Sequence, residues 1–222
     1  MPTRAVLFDF AGTLAMPEAR ADWLSACGVI DDDGLGERLE VVGRPGPTPA
    51  VVPEALTAAY AARDHDPAMH REAYTGLFET LVDASTATVL YERTLVADGW
   101  RAYADAVGVL RALRERGIAT ALVSNIGFDV RPVLDGLGLL SLLDAVVLSY
   151  EVGAIKPEPA IFRAALTALG DVAPSDALMV GDHAADGGAI ALGIRSLLLP
   201  YSAPGGTHGL AAVLALADGS GR

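Results

Sequence analysis

Cysteine and lysine are almost absent from this 222-residue sequence, which contains one of each, Cys27 and Lys156. A single cysteine cannot form an internal disulfide, so the composition is typical of a reducing compartment. No apolar run approaches the roughly 18 to 20 residues of a membrane helix. The first apolar run, Ala5 to Phe8, is also too short for the core of a signal peptide. We therefore expect a soluble cytoplasmic protein that does not bind membranes.

Positive charge is scarce as well. Lysine and arginine together number 16 against 28 acidic residues, which gives a formal net charge of −12. Because nothing in such a chain would neutralise a row of phosphates, we expect no binding to nucleic acid. Hydrophobic residues make up 52% and charged residues 20% of the chain, which is a globular composition and disfavours a disordered or fibrous protein.

Short apolar runs separated by longer helical patterns predict an α/β fold. Continuous apolar runs suit strands that are buried on both faces. Strands that alternate with helices indicate a parallel sheet covered by helices. The predicted strands are Ala5–Phe8, Ile118–Val123, Ala145–Leu148, Ala177–Val180 and Arg195–Leu199. The predicted helices between the later strands are Tyr103–Arg116, Pro159–Leu169 and Gly187–Leu192.

A long, mostly helical segment separates the first strand from the next strand–helix unit. We expect residues 15–96 to form a small helical domain inserted into a core domain of residues 1–14 and 97–222. Arg44–Pro49 is rich in proline and glycine and predicts a loop. The helices predicted in the insert are Glu18–Ala26, Glu54–Arg63, Pro67–Val82 and Ala87–Thr94.

Polar residues follow four of the predicted strands, at the edge where an open parallel sheet binds its ligands. In chain order the four segments are Asp9–Leu14, Ser124-Asn125, Gly153–Pro159 with the sole lysine, and Gly181–Asp186. Taken singly, each aspartate is often a turn or cap residue, the serine could cap a helix, and the lysine could be solvated. Together they would bring three carboxylates to one edge, where they would repel one another unless a cation neutralised them. Hard oxygen ligands favour magnesium.

In this order and spacing, the four segments resemble the four motifs of the haloacid dehalogenase (HAD) superfamily of hydrolases. The resemblance implies a Rossmann-like core with a helical cap inserted between the first two motifs. It implies that Asp9 is the nucleophile, which forms an aspartyl-phosphate in phosphatases. The implied magnesium ligands are Asp9, the backbone carbonyl of Ala11, Asp182 and Asp186. On the substrate side, Ser124, Asn125 and Lys156 are expected to bind, with Ser124 and Lys156 also catalytic.

Ala11 departs from the pattern of the family. HAD phosphatases usually carry a second aspartate at this position, which protonates the leaving group and then activates the attacking water. Alanine can do neither, although its backbone carbonyl can still bind a metal. General acid–base catalysis contributes roughly 10² to 10⁴-fold. A slow enzyme, a substrate with a good leaving group and an acid supplied by the cap are three open explanations.

Cap residues are expected to choose the substrate. The polar candidates are Arg63, His65 and Arg71, which could recognise an anionic group, although for each of them a solvated cap surface is the favoured interpretation. Further candidates are Arg44, His70 and Tyr74.

The resemblance leads us to expect a magnesium-dependent phosphatase that acts on a small phosphorylated metabolite. One alternative is a catalytically weak HAD-fold protein that binds a phosphorylated ligand or partner, which Ala11 keeps open. Haloacid dehalogenases are another, although they work without metal and tend to lose the acidic residues that are retained here as Asp182 and Asp186. Phosphonoacetaldehyde hydrolases are a further alternative within the family. They need a cap lysine, and because the only lysine lies outside the expected cap, this alternative is disfavoured.

Overall fold

The computed structural model describes residues 3–42, 52–200 and 202–218, whose strands form two sheets. Arg44 and the loop predicted at Arg44–Pro49 lie outside these residues. In chain order the strands are β1 (Ala5–Phe8), β2 (Ala15–Pro17), β3 (Trp100–Ala102), β4 (Ala119–Ser124), β5 (Ala145–Leu148), β6 (Ala177–Gly181) and β7 (Arg195–Leu198).

Helices occupy most of the connections between strands. Between β2 and β3 lie α1 (Arg20–Ala26), α2 (Leu35–Val42), α3 (Thr57–Ala62), α4 (Pro67–Glu79) and α5 (Ala84–Thr94). The later helices are α6 (Ala106–Glu115), α7 (Arg131–Gly136), α8 (Ser149–Val152), α9 (Pro159–Ala168) and α10 (Ala211–Ala217). A 3-10 helix covers Asp186–Leu192. Within the described ranges, none of the helices combines the length and the apolar character needed to cross a bilayer.

The larger sheet consists of five parallel strands in the order β5-β4-β1-β6-β7. Its central strand, β1, is fully buried because helices cover both faces of the sheet. Alternate residues of a strand point to opposite faces. Val6 and Phe8 accordingly pack in one hydrophobic cluster with α6 and α10, and Ala5 and Leu7 pack in another with α9. The predicted α/β class with a parallel sheet is confirmed.

Most predicted elements of the sheet domain occur within a few residues of their expected ends. β4 begins and ends one residue later than predicted, and the helix expected at Gly187–Leu192 is a 3-10 helix that begins at Asp186. The short strands β2 and β3 and helix α2 were not predicted. Three-residue strands are too short to show an alternating pattern, which explains why the sequence gives no sign of them.

The short strands β2 and β3 pair as an antiparallel ribbon through which the chain leaves and re-enters the sheet domain. Between them, helices α1 to α5 have apolar clusters of their own, one around Trp23 and Phe78 and another around Tyr60 and Leu77. These separate clusters agree with a helical insert. The division into domains of 1–14 with 97–222 and of 15–96 stays a prediction.

Glu18 ties the ribbon together. Its side chain is 2% exposed and accepts hydrogen bonds from Arg93 Nε at 2.7 Å and from Arg101 Nη2 at 2.9 Å. Arg93 is at the end of α5, whereas Arg101 lies in β3. One buried carboxylate therefore connects the two chain crossings.

We predict that Glu18→Ala lowers the free energy of unfolding by about 1 to 3 kcal/mol. The substitution removes a buried carboxylate and, with it, the charge-assisted hydrogen bonds to Arg93 and Arg101. Urea denaturation followed by circular dichroism measures the change. Glu115→Ala, at an exposed position on α6, is the matched control and should change stability by less than ~0.5 kcal/mol. Equal stabilities for the two variants would contradict this role of Glu18.

Candidate active site

The topology of the sheet brings the predicted motifs together. Asp9 follows β1 directly, Ser124 is the last residue of β4, and Asp182 follows β6. Since β4, β1 and β6 are neighbours and parallel, their carboxyl ends meet at one edge of the sheet. Lys156 reaches the same edge from the loop between α8 and α9.

The Lys156 ammonium lies between two carboxylates. Its Nζ atom donates to Asp9 Oδ1 at 2.6 Å and to Asp186 Oδ1 at 2.7 Å. Lys156 is 5% exposed, Asp186 is 1% exposed and Asp9 is also buried. Burial of any one of these charges alone would be costly, so each depends on its neighbours.

Electrostatics at this triad follow from burial and charge. The pKa of Asp9 is raised to about 7, because burial and the negative charges of Asp186 and Asp182 outweigh the opposing effect of Lys156. Burial alone would lower the pKa of Lys156, but the carboxylates of Asp9 and Asp186 outweigh it and raise that pKa. Lys156 is therefore a permanent cation here, whereas the Asp9 carboxylate still lacks full compensation of its charge.

Three carboxylates could hold a metal ion. Asp9, Asp182 and Asp186 each offer an oxygen atom, and these atoms lie within 4.8 Å of one another. Burial raises the pKa of Asp182, as does the negative charge of Asp186. Three carboxylates against one ammonium leave an excess of negative charge, and the Asp182 side chain reaches solvent. The donor set therefore fits a divalent cation with a preference for oxygen, such as magnesium.

Two glycines leave room for the carboxylates of Asp182 and Asp186 to lie directly against the backbone. A Cβ atom on Gly12 would lie 2.1 Å from Asp182 Oδ2, and a Cβ on Gly181 would lie 2.1 Å from Asp186 Oδ2. Gly12 also has a φ of +89°, a conformation that favours glycine. The neighbouring Ala11 is half-buried and packs against the main hydrophobic cluster, so this position offers a methyl group and no carboxylate.

Asn125 positions the lysine. Its Nδ2 atom donates to the Lys156 carbonyl at 2.9 Å, and its Oδ1 atom accepts from the Lys156 backbone N–H at 2.7 Å. The sequence predicted Asn125 as a substrate-binding residue, and the structure commits its carboxamide to the backbone of Lys156. Ser124, one residue earlier, is buried at the end of β4, beside the strand that leads to Asp9.

The three cap residues expected to bind substrate lie in different surroundings. Arg63 is partly buried and stacks on the Tyr60 ring, with its guanidinium carbon 4.0 Å from the ring centroid. Arg71 is exposed and pairs with Glu92 of the same helical segment at 2.7 Å. His65 is exposed. Of the three, Arg63 also packs on the sheet domain, because a Cβ on Gly127 would lie 2.0 Å from its carbonyl oxygen.

His70 supports the same contact between the helical segment and the sheet domain. It is buried, its ring packs against Phe128, and Nδ1 lies 2.9 Å from the Tyr91 hydroxyl oxygen. Burial, together with the positive charge of Arg63, lowers the pKa of His70 to about 4. The neutral imidazole therefore serves packing at neutral pH.

Ser149 and Asp64 were not singled out from the sequence. The buried Ser149 hydroxyl, directly after β5, donates to the backbone carbonyl of Asp64 in the loop between α3 and α4. It also accepts from the backbone N–H of Ile126 at 2.8 Å. The position of Ser149 at the carboxyl end of a strand was the signal in the sequence that could have found it.

A family model described as haloacid dehalogenase-like hydrolase matches residues 3–192. The chain belongs to this family of hydrolases. The match covers the four motif segments and the intervening helices, so the resemblance inferred from the motifs is confirmed.

Curated relatives within the family include proteins named as phosphatases. The chain is 32% identical over 173 residues to haloacid dehalogenase-like hydrolase domain-containing protein 3 of Mus musculus, covering 69% of this chain and 68% of that protein. It is 32% identical over 200 residues to phosphoglycolate phosphatase of Cereibacter sphaeroides, covering 87% and 83%. A shorter match to phosphoserine phosphatase of Thermus thermophilus is 46% identical over 82 residues, 36% of this chain and 32% of that protein.

Solved structures share the fold. A dehalogenase crystal structure superposes with a TM-score of 0.70 at 22% identity, covering 97% of both chains. At this level of identity the likeness shows the HAD architecture and does not distinguish one chemistry of the family from another.

We predict that Asn125→Ala destabilises the fold by about 1 to 3 kcal/mol, because two hydrogen bonds to the Lys156 backbone are lost. Asn125→Asp keeps the acceptor for the Lys156 N–H but loses the donor to its carbonyl. It also adds negative charge near the site, so it should be destabilising too. Urea denaturation measures the free energy of unfolding of both variants. Wild-type stability of Asn125→Ala would show that the two hydrogen bonds to the Lys156 backbone contribute little.

Proposed function

We propose that this chain is a magnesium-dependent phosphatase that acts on a small phosphorylated metabolite through an aspartyl-phosphate at Asp9. The observation that carries the proposal is the set of three carboxylates, Asp9, Asp182 and Asp186, gathered around one buried lysine at the sheet edge. Such a site offers oxygen ligands to a cation and an ammonium to a phosphoryl group. The relatives named as phosphatases support the same reaction class.

In this proposal, Asp9 is the nucleophile that attacks phosphorus. Lys156 holds the Asp9 carboxylate through Oδ1 and offsets negative charge on the phosphoryl oxygens. Ser124, at the end of β4, donates a hydrogen bond to one of those oxygens. Asp9, the Ala11 carbonyl, Asp182 and Asp186 would hold the magnesium ion, which when bound compensates the charge of the transferring phosphoryl group.

Among the cap residues, we propose that Arg63 contributes most to substrate recognition. It belongs to the part of the helical segment that packs against the sheet domain near Gly127, and its Nε atom is buried without a hydrogen-bond partner. His65 and Arg71 are solvent-exposed, and Arg71 is already paired with Glu92. A substrate with a second anionic group would be favoured by Arg63.

A metal-free dehalogenase is the second candidate. The ammonium of Lys156 already lies 2.6 Å from Asp9, and it could stabilise that carboxylate for attack on carbon without a metal. Against this, Asp182 would add an unneeded negative charge near the nucleophile. A chelator separates the two chemistries, since only the phosphatase requires the metal.

We predict that Asp9→Asn abolishes hydrolysis of phosphate monoesters, because an amide cannot act as the nucleophile. The measurement is the release of inorganic phosphate from 4-nitrophenyl phosphate, with folding checked by circular dichroism. Asp135→Asn, at an exposed position on α7, is the matched control and should retain wild-type turnover. Undiminished hydrolysis by Asp9→Asn would overturn the mechanism, whereas an inactive wild type would favour the ligand-binding alternative.

We predict that excess chelator stops hydrolysis and that added magnesium restores it. Asp182→Ala should weaken the affinity for magnesium by at least the ~10- to 100-fold typical of losing a partner of a metal ligand. The magnesium concentration that gives the half-maximal initial rate measures this affinity for wild type, Asp182→Ala and the control Asp135→Ala. Full activity in excess chelator would instead favour the dehalogenase chemistry.

A further inference from the structure

The helical segment carries an aspartate, Asp64, whose backbone is held against the sheet domain. Asp64 lies in the short loop between α3 and α4, next to Arg63. Its backbone carbonyl accepts the hydrogen bond from Ser149 described above. Ser149 follows β5, and Ile126, which donates to the same hydroxyl, comes two residues after Ser124. Asp64 is thus fixed against two loops at the same sheet edge as Asp9 and Lys156.

The side chain of Asp64 is 18% exposed and is only loosely paired. Arg63 Nη2 lies 3.5 Å from Asp64 Oδ2, longer than the 2.6 and 2.7 Å contacts of Lys156. Charge-assisted hydrogen bonds are normally shorter than 3 Å. The carboxyl group is therefore positioned without being fully occupied by its partner.

The charges that face Asp64 come from its own loop and from the sheet domain. Burial raises the pKa of Asp64, whereas the positive charges of Arg63, His65 and Lys156 lower it, and the net direction is upward. The influence of Lys156 places Asp64 within electrostatic range of the residue that holds the nucleophile. A raised pKa favours the protonated form of the carboxyl group, which is the form that a general acid requires.

We propose that Asp64 is the general acid and base of this enzyme, in place of the aspartate that Ala11 lacks. The inference rests on the proposed phosphatase function. As the Asp9 oxygen bonds to phosphorus and the bond from phosphorus to the leaving oxygen breaks, the Asp64 carboxyl group gives its proton to that oxygen. The resulting Asp64 carboxylate then takes a proton from the water that attacks phosphorus. The phosphorus–oxygen bond to Asp9 breaks, which releases phosphate and restores both aspartates.

The test compares Asp64→Asn with wild type on phosphate esters that differ in their leaving group. An alkyl phosphate needs protonation as it leaves, whereas 4-nitrophenyl phosphate leaves as a weak base. We expect kcat/KM for the alkyl phosphate to fall by ~10² to 10⁴-fold, and kcat/KM for 4-nitrophenyl phosphate to stay within about threefold, because general-acid help is small there. Since water activation also fails, acid-quenched samples analysed by intact mass should show accumulated phosphoenzyme.

Asp66→Asn is the matched control. Asp66 lies two residues further along, is exposed, and caps α4 by accepting from the backbone N–H groups of Ala68 and Met69. Asparagine keeps that cap, so this variant should resemble wild type on both substrates.

The pH profile is a further readout. On the alkyl phosphate, wild-type kcat/KM should fall toward high pH as Asp64 loses its proton, and this fall should disappear in Asp64→Asn.

A purely structural role would lower kcat/KM equally for the two esters, and this result would overturn the proposal. So would wild-type behaviour of Asp64→Asn on both. Introducing Ala11→Asp into Asp64→Asn provides a second measurement, and recovery of alkyl phosphate hydrolysis would support the assignment. These outcomes are distinct from failure of the phosphatase function itself, in which wild type would hydrolyse neither ester.

Discussion

A buried ammonium between two buried carboxylates is the contact on which the site depends. Lys156 joins Asp9 at 2.6 Å and Asp186 at 2.7 Å, and these three residues come from loops that are far apart in the chain. None of the three charges would be tolerated alone at this degree of burial. The sheet must therefore hold the three loops in register, and Asn125 adds a local clamp on the Lys156 backbone.

One ammonium does not balance three carboxylates, and that imbalance has a chemical consequence. Burial raises the pKa values of Asp9 and Asp182, and the adjacent negative charge of Asp186 adds to both, so the excess negative charge is unfavourable. A proton can relieve it, but so can a divalent cation, and only the cation leaves Asp9 ionised. Gly12 and Gly181 remove the side chains that would keep the carboxylates apart. The glycine backbone and the excess of negative charge thus both favour a divalent cation at this position.

The parts of this arrangement that have a local signal could be predicted from the sequence. Apolar runs that end in Asp9, Ser124 and Asp182 identify both the strand and the polar residue at its carboxyl end. The surroundings of cap residues have no such signal. His70 and Arg71 are adjacent in the chain, yet His70 is buried against Phe128 and Arg71 pairs with Glu92 in solvent. The packing of separate helices decides that difference, as it decides the contact between Ser149 and Asp64.

An acid on the helical segment differs physically from one that follows the nucleophile in the chain. An aspartate at position 11 would share the loop of Asp9, so its position would not depend on the helical segment. Asp64 is joined to the sheet domain through the β2–β3 ribbon and through the contact with Ser149, so its position depends on how the helical segment docks. Proton transfer through Asp64 would then occur only when the Arg63–Asp64 loop lies against Gly127 and Ser149.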